Sequence, residues 1–345
     1  MVKINAVIVT HNRKKMLLRC LHALLRQSIP LIGIYIIDNA SVDGTKEFLI
    51  TNRMIEYKSN KFLYEIGHKS REYFKLCCGQ AEARIRSAHG SYTKRVNSTD
   101  IHYCRLKENG GGAGGFYAGM KLADHNKPDY MWIMDDDGFP SDNCLEKQMN
   151  FADRFDYIMP ISLDTQKKDT LTWFVRDRKK RWTRSYSKLV SSFKSGIMEY
   201  TVPFNGLLMS RNIIEQVGLP KKEMFIWGDD FEHQYRCHKK GFKTITVLDA
   251  VFYHPEDKAV HPKIFFGRIP VNYTESKLRF TCLIRNSTYN YWRYRGKHLI
   301  IAKFLIYTWF FLVNRKLSVR EYIYYLNCVL DGIQGDFNRH KQFLS

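Results

Sequence analysis

The sequence is short of acidic residues: 34 Asp and Glu stand against 55 Lys and Arg in 345 residues, a formal net charge of +21. That imbalance suits a negatively charged partner, whether nucleic acid, an anionic membrane surface or a phosphorylated ligand. The eight cysteines include the adjacent Cys77 and Cys78 but no Cys-x-x-Cys pair. No two Cys/His pairs have finger-like spacing either, so a structural zinc site is not expected. The N-terminus, MVKINAVIVTHNRKK, has too short an apolar run for a secretory signal and reads as a buried strand. A disulfide framework is therefore not expected, and the thiols read as reduced and structural. No internal repeat is present. The most apolar segment, Leu299–Val313, has 15 residues and is broken by Lys303. Spanning a bilayer takes roughly 20.

What remains is an ordinary folded composition, 44% hydrophobic and 26% charged, with a high aromatic share of 14%. The length allows one large domain or two modest ones. The excess charge is uneven. Lys58–Lys107 holds 11 basic and 4 acidic residues, 165–200 holds 10 and 3, and 261–345 holds 14 and 4. The rest is a near-neutral body. Basic residues flank Leu299–Val313 on both sides: Arg293, Arg295 and Lys297 before it, Arg315, Lys316 and Arg320 after it. A Trp- and Tyr-bearing apolar run with such flanks suits a helix lying in a membrane interface, and equally a buried C-terminal core helix.

Periodicity organises the first half. A strand is predicted at Ile4–Thr10, a helix at Arg13–Gln27, a strand at Ile34–Ile37 and a helix at Thr45–Asn52. Buried strands alternating with helices imply a mostly parallel α/β sheet. Residues 51–101 break the pattern and read as an inserted helical or loop segment without a strong strand. Further strands are predicted at His102–Leu106, Tyr130–Met134, Tyr157–Pro160, Asn205–Met209 and Lys243–Leu248. Helices are predicted after Gly115, at Asp142–Phe151, at Arg211–Val217 and from Trp227–Glu232 to Gly241. Residues 165–200 read as irregular, and the chain beyond Pro262 as helical. The domain reading is 1–260 for the α/β body and 261–345 for a basic, aromatic, helical region.

Five motifs carry chemistry. Asp135-Asp136-Asp137 ends a strand, where residues i and i+2 face one side, so Asp135 and Asp137 can converge while Asp136 faces away. Two carboxylates at one point call for a hard cation, Mg²⁺ or Mn²⁺. The plain alternative is an acidic turn closed by Gly138 and Pro140. Asn109–Gly115 is glycine-rich and precedes a helix, which suits close approach to an anion. It lacks GxGxxG spacing and a Walker lysine, so a P-loop enzyme is disfavoured. Trp227-Gly228-Asp229-Asp230-Phe231-Glu232 puts three acids in four residues at a helix start, more than capping needs, and can supply a general base. His254 in VFYHP becomes a metal candidate only if its strand lies beside Asp137. Thr10-His11-Asn12-Arg13 and Asp38-Asn39-Ala40-Ser41 follow the first two strands, where polar groups can read a nucleobase and ribose.

VIVTHNRKKMLLRCLHALLRQS followed by IYIIDNASVDGT resembles the opening of the family 2 inverting glycosyltransferases with a GT-A fold. ENGGGAGGFYAGM, WIMDDDG and FIWGDDFEHQYR resemble its galactofuranosyltransferase and rhamnosyltransferase branch. TCLIRNSTYNYWRYRGK resembles an aromatic, basic helix that follows the catalytic domain there. The resemblance covers roughly residues 3–56 and 102–256. It implies that Thr10, Arg13, Asp38, Asn109, Gly111, Gly114 and Asp136 bind a nucleotide-sugar donor. It implies that Asp135, Asp137 and His254 hold Mn²⁺ or Mg²⁺. It makes Asp230 the base, and Trp227, Asp229 and Glu232 the contacts for acceptor and sugar. The implied reaction is a metal-dependent, inverting transfer of galactofuranose from UDP-galactofuranose to a lipid-linked or polysaccharide acceptor in bacterial surface glycan synthesis. A dTDP-rhamnose transferase is the alternative. A nucleic-acid-binding protein, suggested by the charge, is disfavoured by the acidic motifs. The expected setting is cytoplasmic, peripheral on the anionic inner face of the membrane, with homo-oligomer formation compatible.

Overall fold

The structure is a computed structural model that describes residues 2–55, 70–77, 84–87, 90–93, 99–199, 204–256 and 261–344. The chain divides into two compact units. The first comprises Met1–Gly111, Gly115–Leu219 and Arg236–Asp257, the second Gly112–Gly114, Pro220–Tyr235 and Lys258–Ser345.

The first unit is an α/β body around a twelve-stranded mixed sheet. Ile4–Thr10 lies at its centre, parallel to Gly33–Asp38 on one side and to Tyr130–Asp135 on the other. Asp100–Leu106 continues the parallel run beyond Gly33–Asp38. On the far side Asn205–Ser210 runs antiparallel to Tyr130–Asp135 and to Tyr157–Asp164. Thr244–His254 pairs parallel with Tyr157–Asp164. Every residue of Ile4–Thr10 and of Gly33–Asp38 is buried, which is why these strands are near-continuous apolar runs instead of alternating, with the polar Asn5, Thr10 and Asp38 toward their ends. Successive side chains serve opposite layers. Ile4, Ala6 and Ile8 pack with Leu17, Cys20, Leu21 and Leu24 of helix Lys14–Leu25. Val7, Val9 and Ile37 pack with Phe116 and Met120 of helix Gly111–Ala123.

That second helix lies unusually close to the sheet. A Cβ added at Gly115 would stand 2.4 Å from a Val9 methyl, and one at Gly119 would stand 2.4 Å from a Val7 methyl and 2.8 Å from Ile37. The absence of side chains at these positions sets the helix-to-strand distance.

The fold class expected from the sequence is observed: a mostly parallel central sheet with flanking helices, and a helical C-terminal region. Three local expectations are corrected. Residues 165–200 are not irregular. They form strands Thr170–Arg176 and Trp182–Ser185, paired antiparallel, and helix Tyr186–Ser192. Their lysines and arginines hid an edge hairpin, and edge strands tolerate charge. Ser70–Cys77 is a strand, antiparallel to Asp100–Leu106, inside the stretch read as helix or loop. Its mix of Arg71, Glu72 and Lys75 with Tyr73, Phe74 and Leu76 masked the pattern. Much of the remainder of 51–101 lies outside the described residues. The glycine-rich segment is not a loop over its whole length, because the helix already begins at Gly111.

The second unit is built mainly from helices Lys277–Asn290, His298–Trp309 and Val319–Gln334. Phe280, Ile284, Tyr307, Phe310, Phe311, Tyr325 and Cys328 form its aromatic core. The apolar run Leu299–Val313 is helix His298–Trp309 continued by a wider turn at Phe310–Asn314. Among the described residues no helix is long and apolar enough to cross a membrane.

The close helix-to-strand approach is testable. Gly119→Ala forces the stiff Val7 and Ile37 side chains apart and is expected to destabilise the protein by about 1–3 kcal/mol. The check is denaturant unfolding, in which an unchanged midpoint would refute the packing argument.

Candidate functional site

In the first unit, the register of four parallel strands brings polar residues to one edge of the sheet. Thr10 is level with Asp38, Val9 with Asp135, and Asp38 with Arg105, all at carboxyl ends. Ligands of open α/β sheets bind at such ends. Asp136 is buried; its carboxylate accepts a bond from the Thr10 hydroxyl at 2.6 Å and one from Arg13 Nη1 at 3.1 Å. The same Arg13 nitrogen is 2.7 Å from Asp137 Oδ2. Burial pushes the Asp136 carboxyl up to about 6, against the pull of Thr10 and Arg13. Burial would also raise Asp137, but His254 and Arg13 outweigh it and hold that carboxyl below its usual range.

Strand Phe139–Pro140 pairs with Thr244–His254, and this carries His254 to Asp137. His254 Nε2 is 3.2 Å from Asp137 Oδ1. His254 Nδ1 is 2.8 Å from the Pro255 carbonyl, which can only accept, so Nδ1 carries the proton. Protonated at Nε2 as well, the ring stabilises the Asp137 carboxylate through Oδ1, a buried oxygen with no other partner; without that second proton Nε2 presents a lone pair toward it. A nitrogen and an oxygen lone pair facing each other fit a cation between them. Asp135, half-buried, ends its strand. Among the described residues no group of three or more His, Cys, Asp or Glu side chains is gathered to hold a metal ion. The sequence-derived trio is thus present as the pair Asp137 and His254, with Asp135 two residues away along the chain.

Asp38 is committed to its own loop. Its carboxylate accepts from Ser41 N at 2.7 Å and from the Tyr103 hydroxyl. Asn109 Oδ1 accepts from Gly111 N at 2.8 Å and so turns the chain into the helix. Asn39 grips the same turn from the neighbouring strand, donating to Gly111 O at 2.7 Å and accepting from Gly110 N at 2.8 Å.

The second unit carries the other acids. Helix Asp229–Lys239 opens with Asp229, Asp230 and Glu232 in its first turn, where the helix dipole favours negative charge. Burial dominates nonetheless. It pushes Asp229 up to about 8, with the charge of Asp230 adding to the effect. It pushes Asp230 up to about 6, against the backbone N–H groups of Phe231 and its neighbours. The two adjacent carboxyls are therefore held apart, the buried Asp229 pushed further up than the partly exposed Asp230. Glu232 is buried and accepts from the Tyr294 hydroxyl at 2.8 Å. Trp227 is exposed. Gly114 sits where an added Cβ would meet nothing within 4 Å.

The segment before this helix is strained. Phe225, Trp227 and Gly228 all have positive φ, at 69°, 60° and 91°. Non-glycine residues occupy that region only when their surroundings compel it. Here one helix, Lys277–Asn290, supplies the side-chain donors. Asn286 Nδ2 donates to the carbonyls of Met224 (2.9 Å), Ile226 (2.9 Å) and Trp227 (2.7 Å). Two hydrogens serve three acceptors, so one bond is shared. Asn290 Nδ2 donates to Gly228 O at 2.8 Å, and Arg285 Nη2 to Met224 O at 3.0 Å. Buried Arg285 is steadied in turn by His340 Nδ1 at 2.8 Å.

The sequence matches the model of glycosyl transferase family 2 at residues 6–61 and 84–218, more than half of the chain. The galactofuranosyltransferase GlfT1 of Mycolicibacterium smegmatis is 27% identical over 327 residues, covering 92% of this chain and 93% of the relative. Its namesake in Mycobacterium tuberculosis strain H37Rv is 28% identical over 218 residues, covering 62% and 71%. Among solved structures, residues 1–349 of S. aureus TarS in complex with UDP-GlcNAc share the fold at a TM-score of 0.53 and 13% identity. That match covers 98% of this chain and 84% of the other.

Sequence reasoning missed the supporting residues: Arg285, Asn286, Asn290 and Tyr294. The signal was available as polar residues at i and i+4 in a helix that otherwise reads as core. Asn286→Ala takes the donor from the Ile226 and Trp227 carbonyls, Met224 keeping Arg285, and is expected to cost about 1–3 kcal/mol. Limited chymotrypsin digestion reads it locally. Faster cleavage after Phe225 or Trp227 is expected, and an unchanged digestion pattern would remove Asn286 from this role.

Proposed function

The chain is a glycosyltransferase of family 2, and from that premise we propose that it transfers galactofuranose from UDP-galactofuranose to a lipid-linked or polysaccharide acceptor, with inversion at the transferred sugar. The similarity to galactofuranosyltransferases across nearly the whole length is the observation that carries this reading of the sugar.

In this reading the strand ends and the glycine-rich helix start are assigned to the donor. Thr10 and Asp38, at adjacent strand ends, are assigned to the nucleoside, and Asn109 and Gly111, at a helix start whose positive dipole end favours an anion, to the diphosphate. Gly114 and Asp136 belong to the same assignment. Arg13 offsets the charge of Asp136 and Asp137 and orients both carboxylates. A divalent ion, Mn²⁺ or Mg²⁺, would be held by Asp137 and His254 with Asp135, and when bound it supplies Lewis-acid stabilisation of the departing diphosphate.

Asp230 takes the proton from an acceptor hydroxyl, and that oxygen attacks the anomeric carbon from the face opposite the leaving diphosphate. One displacement inverts the centre and needs one base. Asp230 suits the task because its carboxyl, raised to about 6, is ionised at neutral pH yet basic enough to accept a proton. Buried Asp229 and Glu232 are assigned to sugar hydroxyls, and exposed Trp227 to the acceptor. The strained Phe225–Gly228 segment, fixed by Asn286 and Asn290, sets where Asp230 stands.

Three outcomes test this reading. Asp230→Asn is expected to lower kcat by about 10²–10⁴-fold with donor affinity kept. With the native chain, a base acts only when ionised, so kcat/KM should fall as the pH drops through about 6. An ordinary carboxylate would keep the rate down to about 4. Incubation with a panel of nucleotide sugars and a membrane extract, read by mass spectrometry, identifies the sugar. Transfer from the dTDP-rhamnose donor alone would overturn galactofuranose.

A further inference from the structure

The outer side of the C-terminal helices is apolar. His298–Trp309 and Val319–Gln334 meet through the rings of Phe304 and Tyr322, 6.5 Å apart, and a 2.8 Å hydrogen bond between the hydroxyls of Thr308 and Tyr322. Tyr307 stacks on Tyr325 at 4.7 Å on the inner side. Away from that seam, Ile301 and Leu305 are 63% and 60% exposed, and Val319, Ile323 and Leu330 are 54%, 52% and 52% exposed. Spacings of four and seven residues keep each set on one stripe of its helix. Contiguous exposed apolar stripes mark an interaction surface.

The one lysine inside the first helix does not interrupt its stripe. Lys303 turns inward, with Nζ 3.0 Å from Ser287 Oγ and 4.7 Å from the centre of the Tyr291 ring. The charges at the margins are basic. Arg293, Arg295 and Lys297 are exposed before the first helix, and Lys316 and Arg320 are exposed around the turn that leads to the second. The nearby acids Glu275 and Glu321 are both paired with Arg315, at 3.2 Å and 3.1 Å.

We propose that this face of the second unit docks on an anionic lipid surface, with Ile301, Leu305, Val319, Ile323 and Leu330 entering the interface and the basic margins meeting lipid headgroups. Charge complementarity selects that occupant. A second copy seated on the same face would set two basic margins against each other, which is unfavourable. A helix of 12 residues is about 18 Å long, too short to cross a bilayer and suited to lie in its surface. The inference stands independently of which sugar is transferred.

Vesicle co-sedimentation of the full chain tests it, with phosphatidylcholine vesicles in one arm and phosphatidylcholine mixed with phosphatidylglycerol in the other. Binding is expected only in the anionic arm and is expected to weaken as salt rises. Ile301→Glu combined with Leu305→Glu should abolish pelleting while the melting temperature is kept. If that variant does not fold, Lys297→Gln combined with Arg320→Gln, both at exposed positions, carries the test and should weaken anionic binding about tenfold or more. Equal pelleting with neutral vesicles, no pelleting with either, or pelleting undiminished in the folded variants would overturn the proposal. Self-association in sedimentation velocity that Leu305→Glu removes, without vesicle binding, would assign the face to a second copy instead.

Discussion

Strands covered on both faces have no side on which to carry chemistry. Ile4–Thr10 and Gly33–Asp38 are buried at every position, so polar function in this body is confined to the points where strands stop. The parallel register makes those points coincide, bringing Thr10, Asp38 and the start of the Asp135–Asp137 run to one edge. Gathering acids there creates an electrostatic cost, and the neighbouring loops meet it. Arg13 stands between two carboxylates, Thr10 turns its hydroxyl to the buried one, and His254 arrives on a distant strand to meet the other.

The second unit meets a different cost, that of backbone strain. Three residues in the four ahead of Asp229 hold positive φ, and a helix from far along the sequence supplies the amide and guanidinium hydrogens that keep them there. The C-terminal region is therefore more than an appendage to a catalytic body. One side of it fixes the acidic helix start, another forms an aromatic core, and a third is apolar and open with basic margins.

Legibility in the sequence followed burial. The early strands and helices were readable because an apolar run or a 3.6-residue period reports directly on a core. Asp135–Asp137, Asp229–Asp230 and Glu232 stood out because acids clustered at an element boundary have few structural uses. Edge strands were not readable: Thr170–Arg176 and Ser70–Cys77 carry charges that look like loop. The supports were hidden for another reason. Arg285, Asn286 and Asn290 act on main-chain atoms of a distant segment, and the trace they leave is faint, polar residues at i and i+4 in a helix that otherwise reads as core. The approach of His254 to Asp137 depended on strand order, which local sequence does not encode.

The Asn286 amide has a chemical liability. Asparagine side chains hydrolyse slowly to aspartate, and a following serine, here Ser287, does little to hinder the cyclisation involved. Inside a folded helix the reaction is held back by geometry. Should it occur during a transient opening, a group that gives hydrogens to three carbonyls becomes one that only accepts them. The refolded chain would then set a carboxylate against a row of oxygens, and the loop could not return to its former shape. The damage would register as about one dalton of added mass.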